Sequence, residues 1–87
     1  MNSAKQHKLI KEIADYFGVE DRRIKAMEEL GEAIAALARK DNRQIAEEFA
    51  DSLILMQELI YLLGIEKNVE SWTEIKLERV MDLHVKT

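Results

Sequence analysis

Apolar residues recur at three- and four-residue spacing along most of this chain, a pattern that predicts helices and no strands. Leu9, Ile10, Ile13, Ala14 and Phe17 place a first helix over residues 4–17, with Ser3 as its N-cap and Gly18 as a left-handed stop. A second helix begins near residues 19–21 and runs to about Lys40. Its apolar stripe is Ile24, Met27, Leu30, Ile34, Leu37 and Ala38, and Glu28, Glu29 and Glu32 fall on a different face. The short polar break Lys40-Asp41-Asn42 makes the next helix double back, with Asp41 or Asn42 as cap. The third helix, residues 43–63, is the most apolar, carrying Ile45, Phe49, Ser52, Met56, Leu59 and Leu63 on one stripe, which Leu55 and Leu62 widen. Gly64 ends it, residues 66–71 read as a polar connection, and a fourth helix covers residues 71–84. The expected fold is all-α, a single domain over residues 1–87.

Composition narrows the possibilities. Eighty-seven residues bury only a modest core, so association into dimers or larger assemblies is expected. There is no cysteine, which removes disulfides, thiolate zinc sites and a cysteine nucleophile, and no proline to interrupt a helix. A net charge of −4 argues against a nucleic-acid polymer as partner, which calls for a basic stripe. The opening MNSAKQHKLIK lacks the apolar run of a signal peptide and no segment reaches membrane-spanning length, so a soluble, cytoplasmic protein is expected.

The chemistry concentrates between Lys25 and Asp51. Glu28, Glu29 and Glu32 sit on the second helix, Glu48 and Asp51 on the third, and residues three or four apart on a helix are neighbours. Two antiparallel helices presenting such sets gather at least four carboxylates in one place, and clustered like charges repel unless a cation neutralises them. Glu48 projects between Ile45, Leu55 and Leu59, inside the apolar sector, where an unpaired charge is costly. Hard oxygen donors on rigid helices suit Mg²⁺ or Mn²⁺. Glu12, Glu47, Glu58, Glu70 and Glu78 read as solvated.

The order EExxE, a gap, then ExxD, here Glu28-Glu29-x-x-Glu32 and Glu48-x-x-Asp51, resembles the signature of the MazG-like nucleotide pyrophosphohydrolases of the all-α NTP pyrophosphatase superfamily. EELGEAIAAL and EEFADSLILMQEL are similar to the two motif helices of that family. IKLERVM looks like the Lys-Leu-x-Arg segment of its short phage-type and Firmicutes-type members. The resemblance spans roughly Ile10 to Met81. It implies hydrolysis of a nucleoside triphosphate between the α- and β-phosphates, in a helical bundle completed by oligomerisation. It also implies Mg²⁺ ligation by Glu29, Glu32, Glu48 and Asp51, with Glu28 as accessory ligand or positioner of the attacking water. By the same resemblance Lys76 and Arg79 on the fourth helix bind the phosphate tail. Lys25, Arg22 and Arg23 are further candidates to face phosphate, although relatives often carry a glutamine or similar residue there.

Other features have a plainer reading beside the functional one. Trp72 is a base-stacking candidate or a packing residue; Tyr16, Phe17 and Tyr61 read as packing; His7 and His84 read as exposed and too isolated for a zinc site. Two rival functions stand next to hydrolysis. One is a non-catalytic interaction module that keeps the fold; the other, a di-iron carboxylate bundle, calls for Glu-x-x-His pairs that this chain lacks.

Overall fold

A computed structural model of the chain describes residues 1–86. Four α-helices follow one another: α1 (Ser3–Phe17), α2 (Val19–Arg39), α3 (Asn42–Leu63) and α4 (Glu66–Val80), closed by a π-helical turn over Met81–Val85. No strand occurs among the described residues, so the chain is all-α as its periodicity predicts.

The connections are nearly as short as chain geometry permits. Gly18 alone joins α1 to α2; its φ of +84° is the positive value expected, but its ψ of 166° lies outside the left-handed helical basin. Its N–H donates to Ala14 O at 2.9 Å while its carbonyl starts the next helix. Asp41 caps α3, accepting from Arg43 N at 3.0 Å and Gln44 N at 3.4 Å. Gly64, at φ 65° and ψ 35°, ends α3. Here Ile65 N–H donates to Ile60 O and Gly64 N–H to Tyr61 O, which satisfies the last carbonyls in a Schellman arrangement.

Three local expectations need correction. The N-cap of α1 is Asn2, whose Oδ1 accepts from Lys5 N at 2.8 Å, and Ser3 is the first helical residue. Asparagine and serine are near-equal caps, so the sequence alone does not separate neighbours. Residues 66–71 are helical, not a connection, so α4 starts at Glu66. Polarity there misled, because Glu and Lys are good helix formers and only Gly64 breaks the chain. Regular α4 ends at Val80, four residues before the expected His84, where the backbone loosens into the π turn.

The larger correction concerns the core. α2 and α3 pack antiparallel, and α1 lies against both. Tyr61 on α3 donates its hydroxyl to the Asp15 carboxylate of α1 at 2.9 Å, whereas Tyr16, expected to pack, is 82% exposed. The apolar side chains fully inside, among the described residues, are Ala14, Ala26, Ala33, Ala36 and Leu55. Four of the five are alanine, so α2 meets its neighbours through small side chains and a close backbone approach. The long apolar stripe of α2 faces the other way, with Ile24 61%, Met27 66% and Ile34 69% exposed. Periodicity identified that stripe but not what covers it.

The whole chain shows the same imbalance. Its accessible surface is 7003 Å², against about 5300 Å² expected for a folded monomer of its mass. Its radius of gyration is 15.3 Å, against about 12 Å for a compact domain of this length. One copy is an open helical arrangement that leaves much of its apolar surface bare.

Candidate metal centre

α2 and α3 run antiparallel, so residues pair across them when their numbers sum to about 80. Two contacts fix this register: Ser52 Oγ donates to Glu29 O at 3.3 Å, and Arg22 Nη1 lies 3.6 Å from Glu58 Oε1. The register sets Glu29 beside Glu48 and Asp51.

Carboxylate oxygens of Glu29, Glu48 and Asp51 all lie within 4.8 Å of one another, and so do those of Glu28, Glu29 and Glu32. Glu29 belongs to both groups, so the five acidic residues singled out in the sequence form one continuous cluster. Glu29 is buried, on the same face of α2 as Ala26, Ala33 and Ala36, although the sequence reading set it apart from the apolar stripe. The two statements agree once the alanine face is recognised as the one that packs. Glu48 is half-buried, and Glu28, Glu32 and Asp51 are exposed.

The electrostatics are those of a site short of positive charge. Glu29 Oε2 and Glu48 Oε2 are buried without a hydrogen-bond partner. Repulsion from Glu29, then burial, then repulsion from Glu48 raise the Glu32 pKa above its usual 4.5. Lys25 is the nearby cation, its Nζ 3.2 Å from Glu29 Oε1 and 3.3 Å from Glu28 Oε1. Those contacts, led by the one to Glu29, raise the lysine pKa. Among the described residues Lys25 is the one cation in ion-pair contact with the cluster, and it reaches two of the five carboxyl groups. Buried carboxylate oxygens without donors, close enough to share one ion, fit a small divalent cation coordinated by hard oxygen.

The fourth helix does not join this cluster within the chain. Among the described residues α4 approaches α3 and the terminal π turn, not α2. Lys76 Nζ lies 5.8 Å from the Trp72 ring centroid, and Trp72 is 54% exposed. The basic residues that line the cavity next to the carboxylates are Lys25 and Arg22. His7 and His84 are exposed, as expected.

The sequence reading missed Glu58. Placed with the solvated glutamates, it is in fact completely buried, the largest fully buried side chain among the described residues. Neither of its oxygens has a hydrogen-bond partner, and burial raises its pKa while Arg22 lowers it in part. Spacing along α3 puts Glu58 on the packed face, but its burial is set by the register with α2. Glu58 lies seven residues after Asp51 and three after Leu55, on the face turned toward α2, and Arg22 lies seven before Glu29.

Comparison of the chain with protein-family models, with curated proteins and with solved structures finds no match in any of the three. The likeness to MazG-like chains therefore stands on the motif residues and their order alone.

Proposed function

We propose that the chain is a Mg²⁺-dependent nucleoside triphosphate pyrophosphohydrolase, releasing a nucleoside monophosphate and pyrophosphate. The observation that carries this reading is the convergence of Glu29, Glu48 and Asp51 within 4.8 Å, with two of their oxygens buried and unpartnered. Glu29, Glu32, Glu48 and Asp51 are the ligands in this proposal; Mn²⁺ suits the same donors. When bound, Mg²⁺ would neutralise the triphosphate and polarise the phosphoryl oxygens. The chain's own residues supply position and proton handling. Water adds to phosphorus as the bond to the bridging oxygen breaks, and the water's proton passes to a neighbouring carboxylate. Glu28, exposed at the edge of the cluster and tied to Lys25, is placed to orient that water. Lys25, paired with Glu28 and Glu29 at the edge of the cluster, would contact phosphate in this reading.

The proposed working unit is a homodimer or homotetramer. Support comes from the bare stripe Ile24–Met27–Leu30–Ile34–Leu37 on α2 and from Phe49, Leu53 and Met56 on α3. An apolar groove of about 180 Å³ between the two helices joins the stripes. Contiguous apolar surface of this kind marks an association site, and two such helix pairs face to face make a four-helix bundle. Lys76 and Arg79 would then reach the phosphate tail from another subunit. No helix among the described residues is long and apolar enough to cross a bilayer.

A Glu29→Gln variant tests the assignment. Loss of both triphosphate hydrolysis and Mg²⁺-dependent thermal stabilisation is expected. Hydrolysis that persists unchanged would contradict the site assignment, whereas a wild type that turns over no nucleotide would favour the non-catalytic interaction module.

A further inference from the structure

The cleft between α2 and α3 continues past the carboxylates. Glu29, Lys25 and Asp51 line one end of a cavity of about 210 Å³, and Arg22 with Glu58 lines the other. Each of the two lies seven residues along its helix from Glu29 or Asp51, which separates the levels by about 10 Å. The walls between them are Ile13, Ile54 and Leu55. An anion-handling end, apolar walls and one polar edge are what a small site uses to orient a flat heterocycle. A nucleotide separates its phosphates from the far edge of its base by a similar span.

Arg22 forms the polar edge, and it is held from three sides. Its guanidinium carbon lies 4.0 Å from the Phe17 ring centroid, Nε donates to Asp21 Oδ1 at 2.8 Å, and Nη1 lies 3.6 Å from Glu58 Oε1. Glu58 borders the cavity but has no accessible surface of its own, so it acts on a ligand through Arg22. A buried carboxylate without hydrogen bonds is expensive to keep, and burying it beside a guanidinium gains geometry more than stability. The α2–α3 contact holds no other ion pair of this kind among the described residues, and this one adjoins the proposed metal centre.

We propose that Arg22 reads the nucleobase by donating an N–H to a ring carbonyl oxygen, and that Glu58 is the positioning residue that fixes its plane. This rests on the nucleotide reading of the metal centre. It also sorts substrates. Uracil, thymine, cytosine and guanine carry a ring carbonyl and adenine does not, so oxo-bases are favoured. Lysine cannot replace a planar, stacked guanidinium in this role.

The test is calorimetric binding, with Mg²⁺, of the α,β-imido triphosphates of uridine, cytidine, guanosine and adenosine, with inorganic tripolyphosphate alongside. Wild type should bind at least one oxo-base analogue about tenfold or more tighter than the adenosine analogue. In Arg22→Lys, Glu58→Gln and the volume-matched Glu58→Met that preference should collapse to about threefold or less, with tripolyphosphate affinity within about twofold of wild type. Equal binding of the adenosine analogue by wild type would overturn the proposal, as would a preference that survives in Arg22→Lys. A preference that survives in Glu58→Gln would remove Glu58 from it. Parallel weakening of every ligand, tripolyphosphate included, would reduce the pair to a structural one and overturn the reading role. A wild type that binds neither nucleotide nor tripolyphosphate has a different signature: the nucleotide reading itself fails there, and the proposal with it.

Discussion

The two ends of the α2–α3 cleft solve the same problem in opposite ways. Each buries carboxylate oxygens that lack hydrogen bonds: Glu29 and Glu48 at one end, Glu58 at the other. At the Glu58 end the counter-charge is built in, since Arg22 lies 3.6 Å away and is itself stacked on Phe17. At the Glu29 end Lys25 reaches only Glu28 and Glu29 among the described residues, which leaves Glu32, Glu48 and Asp51 without an ion-pair partner. The difference teaches what each end is for. A balanced buried pair fixes geometry, whereas an unbalanced cluster on rigid helices is poised to take its missing charge from outside.

The sharpest way to break the comparison is to remove one carboxylate from each end. At the unbalanced end, Asp51→Asn should cut hydrolysis by about a hundredfold or more, since it removes a proposed metal ligand. Without metal, the same change should leave thermal stability unchanged or slightly raised, because it relieves repulsion. At the balanced end the signs reverse. Glu58→Ala should destabilise the fold by about 3 kcal/mol, leaving the Arg22 charge largely buried without Glu58 and opening a void. Glu58→Met, which fills the space but leaves Arg22 unpaired, should restore only the part of that loss due to the void in chemical denaturation. Equal behaviour of Asp51 and Glu58 variants would erase the distinction between the ends.

How much of this was readable beforehand depends on which partner a residue has. The helices and the Asp41 and Gly64 boundaries follow from periodicity and local capping chemistry, because the groups that decide them are neighbours in sequence. The acidic cluster was legible for the same reason, as two sets at helical spacing. The burial of Glu58 was not, since it depends on an antiparallel register between residues 36 apart. The α2 stripe shows the complementary gap. Ile24, Met27 and Ile34 were correctly seen as one apolar face, but amphipathicity says only that a face wants covering. Within this chain α2 packs through alanines, and nothing local distinguishes a face that meets α3 from one left for another molecule.

That stripe gives the next prediction. Ile34→Glu places a charge in the middle of the bare face, 69% exposed in the single chain. In sedimentation it should convert an assembly into monomers while leaving the α2–α3 cleft folded. A wild type that sediments as a monomer at micromolar concentration would separate the site from any need of a second subunit.

The smallest expected effect is on pH dependence. Glu32 and Glu58 both have folded-state pKa values raised above 4.5, so the native chain binds protons more tightly than the unfolded one. Their contribution to stability is full below 4.5 and is lost as pH rises through the raised values. Metal-free protein should therefore lose some stability on passing from about pH 4.5 upward. Added Mg²⁺ should reverse the slope, since it needs the carboxylates deprotonated and its stabilisation grows with pH. A Glu58→Met background isolates the part due to the cluster.

The most direct test of the unbalanced end is product analysis. Wild-type protein would be incubated with a panel of ribo- and deoxynucleoside triphosphates and Mg²⁺, with and without chelator. The account predicts monophosphate and pyrophosphate in equal amounts, abolished by chelator and absent in Asp51→Asn. No turnover of any nucleotide, diphosphate with orthophosphate instead, or turnover indifferent to chelator would contradict it.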